Sequence, residues 1–265
     1  MRYKTHTEAW TGELFETLYL GDRVAPRGLP THERTFGQFV VEDPMSFPLN
    51  VIGREFRDAI GVLEGLSMIG QFSVPESLTR RVKNFGNFTD DGIFWGAYGT
   101  RLHGQVGDLV RRLALDPESR QCVLTIFDGG RDLAAVKRDI PCTVSVQFLI
   151  RDGYLDMRVT MRSNDLWLGL PYDLVQFSIL QATIAQMLNV APGRYYHAAG
   201  SLHLYDKDRD VAVKIVSSPI ESMPFPLWSV TSMSNITSAA RSMALRPEEY
   251  DPKTRFEEWA CTVLS

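Results

Sequence analysis

Apolar residues recur at helical spacing from Trp10 to Leu20, at Trp10, Leu14, Phe15 and Leu18, and the pattern stops at Gly21, a residue suited to a helix C-terminus. The stretch that follows, GDRVAPRGLPTHERTFG, is dense in Gly, Pro and charge and predicts a long loop. Long loops inside compact domains are usually functional. Helical periodicity returns over residues 54–69 through Phe56, Ile60, Leu63 and Ser67, interrupted by Glu64 and two glycines, which predicts a buried and closely packed helix. Residues 84–100 are rich in Asn, Gly and Asp and then aromatic, predicting a loop, and Val106, Leu109, Val110 and Leu113 predict a short helix.

Strand signals follow at QCVLTIF, at CTVSVQFLI with Cys142, Val144, Val146 and Phe148 alternating, and at YLDMRVTM, so three neighbouring strands are expected. From Asp173 to Asn189, the apolar positions Leu174, Phe177, Leu180, Ile184, Met187 and Leu188 predict a central core helix, with Asp173 placed to cap it. The segment YYHAAGSLHLYD puts Ser201, His203 and Tyr205 on one strand face, and VAVKIV reads as a further strand. No internal repeat or linker interrupts the pattern, so residues 1–265 are expected to form one domain.

Composition narrows the function classes. Hydrophobic residues make up 44% and charged residues 23%, as in a globular chain, which argues against disorder and coiled coils. A net charge of −4 gives no general affinity for polyanions, so nucleic acid is not an expected partner. No apolar run reaches the roughly 18 residues of a membrane span, and MRYKTHTEAW lacks a signal-peptide hydrophobic region, so no membrane partner and a cytoplasmic location are expected. Cys122, Cys142 and Cys261 are odd in number and widely spaced, which suits neither a disulfide framework nor a CxxC metal site, and no metal is expected.

Cys142, after Pro141 in DIPCTVSVQF, reads either as a nucleophilic thiolate, which needs a nearby cation or donor, or as a buried core cysteine. Context separates the two. Taken together, PCT, QF, the run RSND…GLPYD and LHLY resemble the thymidylate synthase family in order and spacing, most strongly over residues 118–206 and more weakly from Gly21 to Gly104. The resemblance implies an α+β fold, a mixed β-sheet packed with helices, and a homodimer formed sheet to sheet. It also implies 5,10-methylenetetrahydrofolate as co-substrate.

By this resemblance Cys142 would add to carbon 6 of a pyrimidine. Arg162 would be a phosphate ligand beside the thiol, against the alternative of a solvated strand-end charge. Arg27, ten residues before Gly37, resembles the arginine of a mobile phosphate-binding loop, or is a surface arginine. Arg120 resembles the first of two adjacent arginines lent to the partner subunit, and Gln121 departs from that pair. Glu64 resembles the glutamate that organises water and proton transfer, against a solvent-facing helix residue. Tyr98 in GAYG resembles the tyrosine that helps remove the carbon 5 proton, against a packed aromatic. His203 and Tyr205 resemble the pair that holds the sugar hydroxyl, and Asp165 the folate-contacting aspartate; both readings compete with ordinary edge polar residues. The family's C-terminal segment closing over folate is not visible in WACTVLS.

Two departures refine the expectation. Where thymidylate synthases carry Asn after GLP and an aromatic, this chain has Asp173, the pattern of the deoxycytidylate hydroxymethylase branch: a carboxyl group can accept from the amino group of cytosine and share a proton with its ring nitrogen. Asn84 and Asn87 stand where the synthases carry Trp, and polar residues there could admit water to the transferred carbon, so Asn84 is expected on the cofactor side. Ser163 and Arg120 keep the residue types of deoxynucleotide enzymes. The expected activity is dCMP 5-hydroxymethylation. Its rivals are CMP hydroxymethylation in nucleoside-antibiotic synthesis, dCMP methylation, an atypical thymidylate synthase, and a non-catalytic relic that binds nucleotide or RNA.

Overall fold

The computed structural model describes residues 1–46, 49–73, 78–79, 82, 86, 89, 92–217, 233–253 and 255–265. Among these, the strands are β1 (Arg2–Tyr3), β2 (Asp22–Val24), β3 (Thr31–Val41), β4 (Val123–Thr125), β5 (Thr143–Arg151), β6 (Tyr154–Met161), β7 (Asn164–Asp165) and β8 (Ala191–Tyr205). The longer helices are α1 (His6–Leu20), α2 (Asp58–Gly70), α3 (Gln105–Leu115), α4 (Leu170–Met187), α5 (Arg209–Val216), α6 (Met233–Leu245) and α7 (Arg255–Leu264). The strands form one sheet in the order β1-β3-β8-β6-β5-β4, with β2 on β3 and β7 on β8. It is mixed: β8 runs antiparallel to β3 and parallel to β6, while β4, β5 and β6 form an antiparallel run. The α+β class and the three neighbouring strands are as expected.

The 15-residue strand β8 is the spine. Its inward positions Tyr195, His197 and Ala199 are buried with Phe39 and Val41 of β3 and with Met157 and Val159 of β6. Helix α4 lies on this face and is buried nearly all round, with its polar residues Asp173, Gln176, Ser178, Gln181 and Thr183 among the buried ones. Its buried Gln181 donates to the Leu155, Gly193 and Arg194 carbonyls, fastening the helix to β6 and β8. Helix α2 crosses α4 at two glycines: a Cβ on Gly61 would stand 2.8 Å from Val175 Cβ, and one on Gly65 3.1 Å from Ile179 Cβ. Side chains there would hold the helices apart. Helix α1 packs on β3 and β8, with the Trp10 indole donating to the Leu166 carbonyl at 2.6 Å.

The structure differs from the sequence reading at five places. The helix expected from residue 54 begins only at Asp58, which leaves Arg54 and Phe56 outside it. Helix α1 begins four residues earlier than the apolar pattern, because Thr5 and Glu8 form a capping box, and Phe15 is 49% exposed. The expected loop over 21–37 is largely strand: β3 pairs with β8 from Thr31–Tyr205 to Val41–Tyr195. The charges of β3 are spent within the fold, Arg34 on buried Glu13 and Glu33 on the Ser201 hydroxyl, so polarity did not mark solvent there. VAVKIV is helical in α5, where Ala212 and Ile215, three apart, are buried beside α1; the packing of one helical face overrides the period-2 pattern of valines. Asp173 does not cap α4. Gly169 is the N-cap, and Asp173 sits in the first turn with its side chain turned inward.

Candidate active site

Two adjoining cavities meet at Cys142, one of about 550 Å³ and one of about 900 Å³. Tyr98, Asp139, Cys142, Leu168, Gly169 and Asp173 line both. Glu64, Ile60 and Tyr172 wall the smaller; Arg27, Arg162, Ser163, Asp165, His203 and Tyr205 line the larger.

Cys142 immediately precedes β5, and the last β6 turn holds it. The Arg162 backbone N–H donates to the Cys142 carbonyl at 2.8 Å, and its guanidinium donates to the Pro141 and Ile140 carbonyls, both at 2.9 Å. One arginine thus fixes the three residues that present the sulfur. Burial pushes the Cys142 thiol above its ordinary value; Arg162 opposes this, and Asp173, Asp139 and Asp165 reinforce it.

Tyr98 begins the single helical turn Tyr98–Arg101 and stacks on Phe177 of α4. Its hydroxyl oxygen accepts from the Thr143 backbone N–H at 3.2 Å and from Thr143 Oγ1 at 3.0 Å, which leaves the phenolic hydrogen to donate into the cavity. Burial, with Cys142 and Asp173 nearby, raises its pKa and keeps the phenol neutral. Glu64, half-buried on α2, is pushed up to about 8 by burial and by the like charges of Asp173 and Asp139, so it carries a proton through neutral pH. Asp173 is pushed up to about 7, mainly by burial, against two amide donors: Asn164 Nδ2 to Oδ2 at 2.6 Å and Gln176 Nε2 to Oδ1 at 2.7 Å.

In the larger cavity, Arg27 is exposed in the turn Pro26–Gly28 with φ of 54°, in the left-handed region. His203 lies 3.2 Å from Ser201 Oγ and packs edge-on to Tyr205, so the alternate residues of β8 share a face as expected. Asp165 Oδ1 accepts from the Trp167 and Leu168 backbone N–H groups, which gives it a turn-forming role as well. Arg120 is exposed, lines neither cavity, and meets β5 only through its carbonyl, which accepts from Gln147 Nε2. Asn84 and Asn87 lie outside the described residues.

Four contributors were missed in the sequence. Asn164 stood inside the RSND run without a role, and Gln176 follows Asp173 by one helical turn, a spacing at which side chains meet. Asp139, three residues before Cys142, accepts from the Gly96 backbone N–H at 2.8 Å and binds the segment before the nucleophile to the Tyr98 turn. Arg54 spans the rings of Trp10, Phe56 and Trp167, the last at 4.0 Å, and donates to the Trp167 carbonyl, fixing the loop that carries Asp165 and Gly169. Nothing but distance along the chain hid it.

Chemically, the arrangement offers a thiol beside a cation, a proton-carrying glutamate, a phenol donor, a buried carboxyl with two fixed oxygens and an annex lined by arginines, carboxylates and hydroxyls. The smaller cavity, walled by Ile60, Phe94, Leu168 and Tyr172, suits a flat heteroaromatic co-substrate next to the sulfur. Among the described residues, no group of three or more His, Cys, Asp or Glu side chains could hold a metal ion, and no helix is long and apolar enough to cross a membrane.

The thymidylate synthase family profile matches residues 81–258. A deoxyuridylate hydroxymethyltransferase of Bacillus phage SP01 is 31% identical over 220 residues, 76% of this chain and 57% of the relative. One of Pseudomonas phage M6 is 34% identical over 154 residues, 55% of this chain and 44% of the relative. A thymidylate synthase of Coxiella burnetii is 28% identical over 131 residues, 49% and 48% of the two chains. The chain thus spans about half the length of the curated relatives it matches.

Proposed function

The chain belongs to the thymidylate synthase family, and from that premise we propose that it transfers a one-carbon unit to carbon 5 of a pyrimidine nucleoside monophosphate, dCMP, leaving a hydroxymethyl group. The observation that carries this reading is the convergence of Cys142, Glu64, Tyr98 and Asp173 on one cavity wall. Cys142 adds to ring carbon 6 and makes carbon 5 nucleophilic. Tyr98 donates beside the thiol, and Glu64, carrying a proton near neutral pH, organises water over the base. Arg27 and Arg162 hold the phosphate, Ser163 lies beside it, and His203 and Tyr205 hold the sugar. Methylenetetrahydrofolate, the family's one-carbon donor, fits the flat apolar wall of the smaller cavity beside Asp165 and Leu168.

Asp173 supports cytosine as the base and the names of the phage relatives support hydroxymethyl transfer. Those names also favour a second reading, dUMP as substrate: a neutral carboxylic acid presents one donor and one acceptor, as an amide does, and so can also face uracil. Arg120 acts in the partner's phosphate site of a homodimer. Support comes from a row across the sheet, Val40, Tyr196, Arg158, Gln147 and Val123, in register on the face away from α1 and α4 and at least partly exposed.

The test is incubation of the protein with methylenetetrahydrofolate and dCMP, CMP or dUMP, with the product identified by mass. The expected product is 5-hydroxymethyl-dCMP, with no dihydrofolate absorbance. Stoichiometric dihydrofolate would replace hydroxymethylation by methylation, and conversion of dUMP alone would establish the second reading.

A further inference from the structure

Asp173 has both carboxyl oxygens held by side-chain amides: Asn164 from β7 takes Oδ2 and Gln176 from the next turn of α4 takes Oδ1. All three residues are buried, at 6%, 3% and 4% exposure. A carboxyl oxygen has two in-plane acceptor sites, so each keeps one for the cavity that Asp173 lines. Gly169 closes the arrangement from behind, since a Cβ there would lie 3.0 Å from Asn164 Nδ2. The carboxyl group therefore cannot swing away from a poorly matched base without breaking a buried hydrogen bond.

We propose that Asn164 and Gln176 are positioning residues that fix Asp173 as a two-point reader of the pyrimidine edge, that the reader takes up a proton when the base binds, and that selectivity for cytosine over uracil consequently grows as pH rises. This inference rests on the nucleotide-binding reading above and concerns which base that site accepts.

Counting protons gives the reason. Cytosine donates its amino hydrogen to one oxygen and turns the lone pair of ring nitrogen 3 toward the other. Uracil donates from nitrogen 3 and turns oxygen 4 toward the other. Against an ionised carboxylate each base has one good contact and one acceptor facing an acceptor, a costly arrangement in a buried site. One added proton repairs either pair. With cytosine that proton is shared with a basic ring nitrogen; with uracil it meets only a carbonyl oxygen, a much weaker base, and is released at lower pH. As pH rises, uracil is therefore lost first.

The surrounding groups place the transition in a usable range. Facing Asp173 are Glu64 from α2, Tyr98 from its helical turn, Asp139 and Cys142 from the segment before β5, Asp165 from β7 and Tyr195 from β8. Arg162 and His203 line the same larger cavity. Burial sets the carboxyl near neutrality, and the two amides oppose that rise. Titration of these neighbours, of the arginines and of the nucleotide phosphate acts on both complexes and cancels in the ratio of the two affinities.

The experiment uses the whole chain without folate. Dissociation constants for dCMP and dUMP are measured by calorimetry from pH 6 to 9, in buffers of differing ionisation enthalpy to count protons. The ratio Kd(dUMP)/Kd(dCMP) is expected to rise by up to about tenfold per pH unit over part of that range, with proton uptake approaching one per dCMP bound at the alkaline end. Gln176→Met, which removes one donor to the carboxylate, should move the rise to higher pH, and Asp173→Asn should abolish it. A pH-independent ratio in the wild type, with both nucleotides binding, overturns the inference without need of any variant. Failure of both nucleotides to bind at any pH overturns the proposed function itself.

Discussion

At the scale of single residues, the nucleophile depends on its surroundings. Burial holds the Cys142 thiol high and Arg162 opposes it, so thiolate forms readily only where that guanidinium stays close. In the proposed function, substrate affinity rests by contrast on the arginines. Cys142→Ser should therefore lower turnover by at least about 10³-fold while dCMP affinity changes less than about threefold; single-turnover product formation and calorimetric binding separate the two. Turnover near the wild-type rate would remove the covalent mechanism. The motif residues were legible in the sequence because each is a chemical type at a family spacing. Asn164, Gln176 and Arg54 were not, since a supporting side chain is defined by what lies across the fold from it, and a linear pattern carries no such distance.

At the scale of elements, amphipathic periodicity located α1, α2, α3 and the buried α4, and alternation located β4 to β6. It failed at β3, whose charges are satisfied by Glu13 and Ser201 in other elements, and at α5, whose valines follow a strand period on a helix. Helix α2 shows how an element places a catalytic group. Gly61 and Gly65 flank Glu64, and the α4 residues they touch, Val175 and Ile179, lie just beyond Asp173. Gly61→Ala should push α2 from α4 and destabilise the protein by about 1–3 kcal/mol, with kcat reduced more than nucleotide affinity. Chemical denaturation and steady-state kinetics check this; a variant as stable and as active as the wild type would show that the seam has slack.

At the scale of the whole molecule, buried ionisable groups set the pH dependence of stability. Glu64 and Asp173 have folded-state pKa values raised to about 8 and about 7, so the stability they contribute is complete below the ordinary carboxyl range and is lost as pH rises through those values. His6 and His197, buried and lowered to about 3, do the reverse: their contribution is present above the ordinary histidine value and is lost as pH falls. The two effects oppose each other in mildly acidic solution, and above about pH 6.5 only the carboxyls act. Stability without nucleotide should fall by about 1–2 kcal/mol from pH 6.5 to 8, and Glu64→Gln should flatten that fall; an unchanged slope would mean Glu64 is ionised in the folded protein. The proposed homodimer has its own test. Mixed Cys142→Ser and Arg120→Ala chains should recover up to about a quarter of wild-type activity, because half of random pairs are mixed and each mixed pair holds one intact site; no gain on mixing would confine each site to one chain.

The glycine seam between α2 and α4 also bears on how this protein can change over generations. The spacing of Glu64 and Asp173 is set where the α2 backbone, bare at two glycines, meets the Val175 and Ile179 side chains of α4 directly, so repacking elsewhere in the core has little leverage on it. Loops around the annex can therefore drift toward new sugars or phosphates while the acid and the reader keep their separation. In a saturation library scored for activity, tolerance should be low at Gly61 and Gly65, as it should be at Gly99, where a Cβ would stand 2.2 Å from the Ser67 and Phe72 carbonyl oxygens, and positions of equal burial remote from these contacts should accept several apolar replacements each.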